Sequence, residues 1–325
     1  MPELSADNAA ERLSRYALPA VNLRFSELGG GISNKVILAE GPEFRAVLKQ
    51  SLGQLRTEVG WHSDRERIFR EAAAMRWLAD TGCKGGNVPR ILFEDAPGFT
   101  IVMDAAPAGA EMWKAQLFRG ELDAGIARLA GVTLASIVAS SWNSAEAKRL
   151  FGDQTVFHQL RVDPYYRYAA SRRPDAVEYI DRLIERSSAR RVSLVHGDWS
   201  PKNLLVYEGH LWVIDWEVIH YGDPSFDAGF LLNHLLLKSI AMPQHRAALA
   251  ELAHEFMDGL VSGLPSDAAW LVPATLEHLP ALLLARVDGK SPAEYLDAAM
   301  QEHAVSLALG LMRNPPASTG EVFTR

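Results

Sequence analysis

The fold is decided by residues 194–229, which read LVHGDWSPKNLLVYEGHLWVIDWEVIHYGDPSFDAG. The middle of this stretch contains two short apolar runs, residues 204–207 and 211–214, separated by the turn residues 208–210. Apolar runs of this length on either side of a glycine-containing turn are typical of a β-hairpin. We therefore expect two short antiparallel strands at this point of the chain.

Two polar residues flank the expected hairpin at its open end. Pairing residues 204–207 with 211–214 around the turn places Asn203 opposite Asp215. Directly opposed residues of an antiparallel pair lie roughly 5 Å apart at Cα. Amide and carboxylate oxygens suit Mg²⁺, which takes oxygen ligands and usually keeps substrate phosphates in its coordination shell. The sequence therefore predicts a magnesium site formed by Asn203 and Asp215.

The tripeptide His196-Gly197-Asp198 comes shortly before the hairpin, and Asp198 precedes Asn203 by five residues. In the catalytic loop of kinases, an Asp accepts the proton of the attacking hydroxyl, and an Asn a few residues later binds the metal. The spacing predicts that Asp198 is such a base. The competing interpretation is that Asp198, Asn203 and Asp215 are polar residues of turns and strand ends.

Length and composition are those of a globular enzyme. With 325 residues, 48% of them hydrophobic, the chain is long enough for about two domains with substantial cores. A net charge of −7 and a pI near 5.8 argue against a general binder of nucleic acids or anionic membranes. We expect no signal peptide or membrane span. The single cysteine, Cys83, rules out an internal disulfide and favours a cytoplasmic location.

The order of the elements predicts an α+β protein with two lobes. Residues 64–78 show the apolar spacing of a helix packed on a sheet. A linker of small residues, 105–109, separates the strand-rich part from the mainly helical remainder. We place a nucleotide-binding lobe at residues 1–104 and a catalytic and acceptor-binding lobe at residues 105–325. The expected strands of the first lobe, the first three forming an antiparallel meander, are residues 21–25, 36–39, 46–50, 90–94 and 99–103.

A glycine-rich segment, residues 28–34, lies between two expected strands of the first lobe. Glycines let backbone amides approach phosphates closely. The segment therefore predicts nucleotide contacts from Gly30, Gly31, Ser33 and Asn34. The alternative is a plain turn between two strands.

Lys49 lies at the end of the next strand, and Glu71 lies on the helix that follows it. A lysine in this position can pair with nucleotide phosphates while a helical glutamate holds it by an ion pair. The alternative is an ordinary pair of surface charges.

Three ordered segments carry a resemblance to a known family. HGDWSPKNLL at residues 196–205, VIDWE at 213–217 and DPSFD at 223–227 resemble motifs of the aminoglycoside phosphotransferase and choline kinase family, which has a protein-kinase-like fold. Residues 48–56 and 221–229 also resemble segments of the 5-methylthioribose kinases. The resemblance implies an antiparallel sheet in the N-terminal lobe and a mainly helical C-terminal lobe.

The resemblance also implies roles for individual residues. Asp198 would orient or deprotonate the acceptor hydroxyl, and Lys49 would hold the α- and β-phosphates of ATP. Asn203 and Asp215 would bind Mg²⁺, and Glu217 would offer a second acid to the metal. We expect His196 to be structural, with its ring bonded to nearby backbone. Asp227 is expected to brace the catalytic loop through hydrogen bonds.

Polar residues in the second lobe are candidates for binding the acceptor. Arg286 and Asp288 interrupt an apolar helical stretch and could meet a polyhydroxylated ligand, or they could mark a helix end capped by Gly289. Trp199 and Trp216 adjoin the predicted catalytic and metal-binding residues. Their indole rings could form a wall of the acceptor site, or they could pack in the core.

Together these features predict an ATP- and Mg²⁺-dependent kinase that phosphorylates a hydroxyl of a sugar or sugar-like metabolite. An antibiotic phosphotransferase is the nearest alternative, and a catalytically silent kinase-like binding module is a second. The expected partner is a small-molecule hydroxyl acceptor, with no nucleic acid and no membrane. The sequence leaves open the identity of the acceptor and the oligomeric state.

Overall fold

The computed structural model describes residues 2–29, 31–57, 60–81 and 86–324. Contacts divide the chain into two compact units. Unit 1 consists of Met1–Thr81 and Val88–Ala108, and unit 2 consists of Gly82–Asn87 and Gly109–Arg325. The boundary after residue 108 lies four residues beyond the predicted one. Cys83 and the other residues of 82–85 lie outside the described residues.

Unit 1 is built around a five-stranded antiparallel sheet with the strand order β1 (Arg24–Glu27), β2 (Asn34–Glu40), β3 (Arg45–Ser51), β6 (Thr100–Asp104) and β5 (Ile91–Asp95). Its helices are α1 (Ala6–Arg15) and α2 (Arg67–Thr81). The core brings Leu13 of α1 together with Ile37, Leu48 and Val102 of the sheet. The five strands and the meander were predicted correctly from the sequence. However, β1 begins three residues later than expected, and α2 begins at Arg67 rather than at residue 64.

Unit 2 is mainly helical and contains two small sheets. Its strands are β4 (Gly86–Asn87), β7 (Glu111–Met112), β8 (Ser193–Val195), β9 (Leu204–Tyr207), β10 (His210–Val213) and β11 (His220–Gly222). They form a four-stranded sheet, β4-β10-β9-β7, and a two-stranded sheet, β11-β8. The predicted hairpin is therefore the centre of a larger sheet rather than an isolated ribbon.

The helices of unit 2 surround these strands. They are α3 (Trp113–Phe118), α4 (Ala124–Ser141), α5 (Ala145–Phe151), α6 (Thr155–Phe157), α7 (Tyr168–Arg172), α8 (Val177–Ala189), α9 (Ser225–Ala241), α10 (Arg246–Val261), α11 (Leu271–Asp288), α12 (Ala298–Arg313) and α13 (Thr319–Thr324). A π-helical stretch, His158–Arg167, connects α6 with α7. These elements confirm the predicted α+β class, with an antiparallel sheet in one unit and helices dominating the other.

Helix α4 is the one helix among the described residues whose length and apolar composition would let it cross a membrane. Its mean hydropathy is 1.4, and 56% of the apolar window is buried inside the protein. Gly131 of α4 and Gly259 of α10 let the two helix backbones approach closely, because an added Cβ on either glycine would overlap the other helix. These contacts are those of a core helix.

The register of the β9–β10 hairpin corrects one prediction. Tyr207 pairs with His210 and Leu204 with Val213, so the turn contains two residues, Glu208 and Gly209, instead of three. Both turn residues have positive φ, +48° and +75°, as a type I′ turn requires. The shorter turn moves the pairing by one residue.

As a result, Asn203 meets Ile214 rather than Asp215 at the open end of the hairpin. The carbonyl oxygen of Asn203 accepts a hydrogen bond of 3.1 Å from the backbone N–H of Ile214. Asp215 follows directly in a left-handed conformation, with φ +68° and ψ +56°. The strand therefore ends there, and the backbone turns at Asp215.

Candidate active site

The loop of residues 196–203, which we call the catalytic loop, connects β8 with β9 in unit 2. Its second residue, Gly197, has φ +77°. A Cβ added at this position would lie 2.6 Å from the side chain of Val218. Only glycine fits this left-handed and crowded position. The glycine of the His-Gly-Asp tripeptide therefore sets the path of the loop.

Asp227, in the first turn of α9, holds the start of the catalytic loop. Its carboxylate oxygens accept hydrogen bonds from the backbone N–H groups of His196, at 2.6 Å, and Gly197, at 2.8 Å. Burial raises the pKa of Asp227 to about 7, against the two hydrogen bonds. The predicted bracing of the loop by Asp227 is present in the structure.

His196 is fully buried and links the catalytic loop to the end of β10. Its Nδ1 accepts a hydrogen bond of 3.1 Å from the backbone N–H of Asp198, and its Nε2 lies 3.0 Å from the carbonyl oxygen of Ile214. This arrangement requires a neutral ring with its proton on Nε2. Burial lowers the pKa of His196 to about 4. The ring is thus bonded to backbone on both sides, as expected for a structural histidine.

Asp198 is buried beside two cations. Its Oδ2 lies 3.1 Å from Nη2 of Arg161 and 2.9 Å from Nζ of Lys202. Burial opposes ionisation of Asp198, but the charges of Lys202 and Arg161 outweigh it and hold the pKa of the carboxyl well below its usual range. Asp198 is therefore a carboxylate at neutral pH.

Arg161 was not identified from the sequence. It comes from the π-helical stretch before α7, and its Nε donates a hydrogen bond of 2.5 Å to the carbonyl oxygen of Gly197. Its guanidinium lies over the rings of Tyr165 and Phe230, at 5.5 and 5.6 Å. Nothing in its spacing connects it with Asp198. The surrounding residues, 157–167, mix apolar, aromatic, polar and charged types and so give no sequence signal for this role.

Lys202 was also missed as a site residue, although its position carries a usable signal. It lies four residues after Asp198 and contacts the same carboxylate oxygen as Arg161. Its side chain is 44% exposed, whereas that of Arg161 is 8% exposed. The Lys202 pair is therefore partly screened by water, and Arg161 is the buried partner of Asp198.

The three predicted metal ligands, Asn203, Asp215 and Glu217, lie near the charged groups of Asp198 and Arg161. Asn203 donates a hydrogen bond of 2.9 Å from its Nδ2 to the carbonyl oxygen of Asp198, which fixes the orientation of its side-chain amide. The charges of Glu217 and Asp215 both act on Arg161 and raise its pKa together with Asp198, against burial. Asp198, Asp215 and Glu217 thus share one charged neighbourhood.

This set of side chains fits a magnesium ion only together with other ligands. Within the described ranges, no group of three or more His, Cys, Asp or Glu side chains could hold a metal by itself. The set contains two carboxylates and one amide. Mg²⁺ is commonly bound through one or two carboxylates plus the phosphates of a substrate. The residues therefore suit a metal that arrives with a nucleotide.

Trp199 and Trp216 are both fully buried. The centroids of their rings lie 5.6 and 4.5 Å from that of the His196 imidazole, and Nε1 of Trp216 donates a hydrogen bond to the carbonyl oxygen of Val213. These contacts favour the alternative in which both tryptophans pack around the buried histidine.

In unit 1, Lys49 on β3 forms the predicted ion pair with Glu71 on α2. Nζ of Lys49 lies 2.8 and 2.7 Å from the two carboxylate oxygens, and both side chains are buried. The pair joins the sheet to the helix packed on it. It is thus a buried structural contact rather than a surface charge pair.

The glycine-rich segment connects β1 with β2. Gly30 lies outside the described residues, and Gly31 is exposed. Ser33 and Asn34 are buried, and Nδ2 of Asn34 donates a hydrogen bond of 3.0 Å to Oγ of Ser33. The structure therefore describes three of the four residues that we predicted to contact the nucleotide.

Arg286 and Asp288 lie in the last turn of α11, with Gly289 as the C-terminal cap. Asp288 forms an ion pair of 2.6 Å with Nε of Arg173. Arg286 donates hydrogen bonds from Nη1 to Oγ of Ser291, at 2.8 Å, and to the hydroxyl of Tyr165, at 3.4 Å. This segment is therefore a helix end capped by Gly289, as the second interpretation predicted. The side chains of Arg286 and Asp288 contact different partners.

Comparison with known proteins identifies the family of this chain. Residues 24–270 match the family described as "Phosphotransferase enzyme family". The chain belongs to this phosphotransferase family. It is 26% identical to the methylthioribose kinase of Pectobacterium atrosepticum over an alignment of 271 residues, with 74% of this chain and 67% of that protein covered. It is 25% identical to the methylthioribose kinase of Yersinia enterocolitica over 264 residues, with coverages of 72% and 65%.

The chain thus spans about two thirds of the length of these relatives. Membership of the family makes it a phosphotransferase whose acceptor group is an alcohol.

Solved structures of the same fold include enzymes with several acceptors. The amicoumacin kinase hAmiN, in complex with AMP-PNP, Ca2+ and Ami, has a TM-score of 0.63 and 14% identity, with 98% of this chain and 97% of that chain covered. A choline/ethanolamine kinase family protein from Mesorhizobium loti has a TM-score of 0.57 and 18% identity, with 98% of both chains covered. An ADP-bound aminoglycoside phosphotransferase has a TM-score of 0.55 and 17% identity, with coverages of 95% and 99%. At these identities the likeness establishes the protein-kinase-like fold.

Proposed function

We propose that this phosphotransferase is an ATP- and Mg²⁺-dependent kinase that transfers the γ-phosphoryl group to a hydroxyl of a sugar or sugar-like metabolite. The observation that carries the proposal is the buried Asp198, held by Arg161 and Lys202 on a loop that also contains Asn203. The similarity to methylthioribose kinases supports a sugar-like acceptor.

In this proposal Asp198 receives the proton of the acceptor hydroxyl. The hydroxyl oxygen forms a bond to the γ-phosphorus, the bond from that phosphorus to the β–γ bridging oxygen breaks, and ADP leaves. A carboxylate with a depressed pKa is a weak base. In the loose transition state of phosphoryl transfer, however, the nucleophile needs orientation more than early deprotonation. Asp198 therefore acts mainly by positioning the hydroxyl and takes the proton late.

Asn203, Asp215 and Glu217 would hold Mg²⁺, with phosphate oxygens completing the coordination shell. When bound, the metal supplies positive charge that offsets the charge of the phosphates. Lys49, positioned by Glu71, would pair with the α- and β-phosphates. A silent binding module would not need this complete set of base, metal ligands and phosphate-binding lysine.

The test is Mg²⁺-dependent release of ADP from ATP with a panel of neutral sugars, methylthioribose, choline and aminoglycosides. We expect a sugar-like compound to stimulate release and Asp198→Asn to lower turnover by about 10²- to 10⁴-fold, the usual contribution of a positioned acid or base. Asp163→Asn, a substitution of an exposed aspartate, is the matched control and should keep full turnover.

Calorimetry separates the two proposed roles in unit 2. Asp198→Asn should bind Mg²⁺-ATP like the wild type, whereas Asp215→Asn should bind it more weakly. Turnover by Asp198→Asn equal to that of the wild type would refute the mechanism. Stimulation by aminoglycosides alone would instead favour an antibiotic phosphotransferase.

A further inference from the structure

Helix α9 carries a row of side chains that leads away from Asp198. Phe230, His234 and Lys238 are spaced four residues apart and so lie on one face of the helix. The ring of Phe230 lies below the guanidinium of Arg161, at 5.6 Å, and 5.2 Å from the ring of His234. The row therefore connects the charges at Asp198 with a second basic region of unit 2.

Lys238 is the most unusual member of this region because it is a buried cation, 1% exposed. Its Nζ donates a hydrogen bond of 3.3 Å to the carbonyl oxygen of His234 and lies over the rings of Phe118 and Tyr295, at 5.2 and 5.8 Å. Burial, together with the charges of Lys114 and Arg286, lowers its pKa to about 7. The aromatic rings stabilise the ammonium group only in part.

Arg286 is a second cation without a carboxylate partner. Its hydrogen bonds go to the hydroxyl groups of Ser291 and Tyr165, and its Nε is buried without a hydrogen-bond partner. The Tyr165 ring in turn lies under Arg161, at 5.5 Å, and 5.9 Å from the ring of Phe230. Arg286 is thus linked to the Asp198 site through one aromatic side chain.

Helix α3 connects the same region with the catalytic loop. The backbone N–H of Lys114 donates a hydrogen bond of 2.8 Å to the carbonyl oxygen of Pro201. Four residues later, the ring of Phe118 lies 5.0 Å from that of Tyr295, whose hydroxyl is buried without a partner. The side chain of Lys114 is exposed at the end of this region that faces the loop.

Lys114, Lys238 and Arg286 together form what we call the Lys238 cluster. Within residues 2–29, 31–57, 60–81 and 86–324, no carboxylate oxygen lies within 4.0 Å of their side-chain nitrogens. Buried cations are normally paired, because removing a charge from water without a counter-ion is costly. The charge of Glu294 acts on the exposed Lys114 from beyond ion-pair distance, whereas Lys238 and Arg286 have no carboxylate partner among the described residues, in contrast to Arg161 and Lys202.

We propose that the Lys238 cluster binds an anionic group of the acceptor, a carboxylate or a phosphate, so that a hydroxyl of the same molecule faces Asp198. This inference rests on the proposed kinase function and narrows its acceptor class. The cluster would repel a polycationic aminoglycoside and gives a neutral sugar no counter-charge. The acceptor class is thus a polyhydroxy compound with one negatively charged substituent.

The experiment compares sugars that share one ring and carry substituents of different charge. The probes are glucose, glucosamine, glucuronate and glucose 6-phosphate, tested as acceptors by ADP release and as ligands by calorimetry with the full chain. We expect glucuronate or glucose 6-phosphate to exceed both glucose and glucosamine in kcat/KM and affinity by about 10- to 100-fold, as for one charge-assisted contact. The carboxylate and phosphate arms identify which anion the cluster prefers.

Variants connect the preference to the cluster. Lys238→Met and Arg286→Met replace the charged side chain with an unbranched apolar one, and each should lower the preference about tenfold without changing the affinity for Mg²⁺-ATP. Lys148→Met, a substitution of an exposed lysine on α5, is the matched control and should keep the preference. A changed affinity for Mg²⁺-ATP in Lys238→Met would assign the cluster to the donor and overturn the proposal.

The remaining outcomes separate this proposal from the kinase function. Turnover that favours glucose or glucosamine overturns the anionic acceptor while the kinase stands. If no probe is turned over, the calorimetric order decides: anions that bind no more tightly than glucose overturn the proposal. A kinase failure would instead appear as no ADP release with any of these probes or with the panel above, whatever the order of the probes' affinities.

Discussion

Each unit contains a buried carboxylate that contacts a cation. The two sites differ in how many cations the carboxylate contacts. In unit 1, Lys49 and Glu71 form a buried ion pair with side chains 5% and 0% exposed. In unit 2, Asp198 contacts two cations, Arg161 at 8% exposure and Lys202 at 44%. The excess positive charge in unit 2 is balanced by Asp215 and Glu217, which belong to a different segment of the chain. A pair can thus be built by two elements, whereas the Asp198 site needs several.

The two sites also differ in which residue loses an ion-pair partner when the other member of the pair is replaced. A buried carboxylate without its partner can take up a proton and become neutral. An arginine cannot lose its proton within the stability range of a protein. We therefore expect charge removal to be tolerated differently in the two units, and four predictions follow this difference from the largest effect to the smallest.

Replacing Asp198 should have the largest effect on stability. Asp198→Ala leaves Arg161 buried without its carboxylate, and breaking a buried pair in this way costs about 5 kcal/mol, the upper end of the usual range. Because Arg161 stays charged, we expect the loss to be similar at pH 5 and pH 8. Urea unfolding at both pH values measures it. A loss that disappears at either pH would show that Arg161 is not the cause.

Replacing Lys49 should have a smaller and pH-dependent effect. Lys49→Met removes the buried cation that pairs with the Glu71 carboxylate, at a cost of about 4 kcal/mol at pH 8. Since the carboxyl can be protonated, the loss should shrink as the pH falls to about 5. The double variant Lys49→Met, Glu71→Met should recover most of the stability but not the affinity for Mg²⁺-ATP. Equal losses at both pH values would remove the contrast between the units.

His196 should make its own contribution to the pH dependence of the free energy of unfolding. Its pKa is about 4 in the folded protein and 6.5 in the unfolded chain, so between these values the unfolded chain binds more protons. The contribution of His196 to the free energy of unfolding therefore rises with pH over this range, by about 3 kcal/mol.

The raised pKa of Asp227 acts in the opposite direction between its ordinary value of 3.8 and about 7. For this reason the measurement is the stability difference between wild type and His196→Gln, in which the contribution of Asp227 cancels. Denaturant unfolding from pH 4 to 7 provides it. A difference that is flat with pH, or that falls, would contradict a neutral buried histidine.

The smallest predicted change in the free energy of unfolding concerns the turn of the β9–β10 hairpin. Glu208 adopts φ +48° at the first position of a type I′ turn, where asparagine is favoured. Glu208→Asn should stabilise the protein by about 0.5–1 kcal/mol, and Gly209→Ala should destabilise it by about 1 kcal/mol. Glu43, in a turn of unit 1 without positive φ, gives the matched control Glu43→Asn. Equal shifts in the urea midpoint for both asparagine variants would refute the turn assignment.

The sequence by itself determined the fold class, the Lys49–Glu71 pair and the order of the catalytic loop residues. These features depend on short-range patterns: alternation in strands, helical spacing after β3, and the position of Asn203 five residues after Asp198. The hairpin was also predicted, but its register was wrong by one residue. The turn length that sets this register depends on backbone φ values at Glu208 and Gly209, and the residue types alone did not fix them.

Only the tertiary structure decided which cations meet Asp198 and which lack an anion. Arg161 is separated from Asp198 by 37 residues and reaches it from a π-helical stretch. Lys114, Lys238 and Arg286 come from three different helices of unit 2. Coulombic interactions depend on distance and burial rather than on position along the chain. Local spacing therefore identified the carboxylates, and the packing of distant helices selected the charges around them.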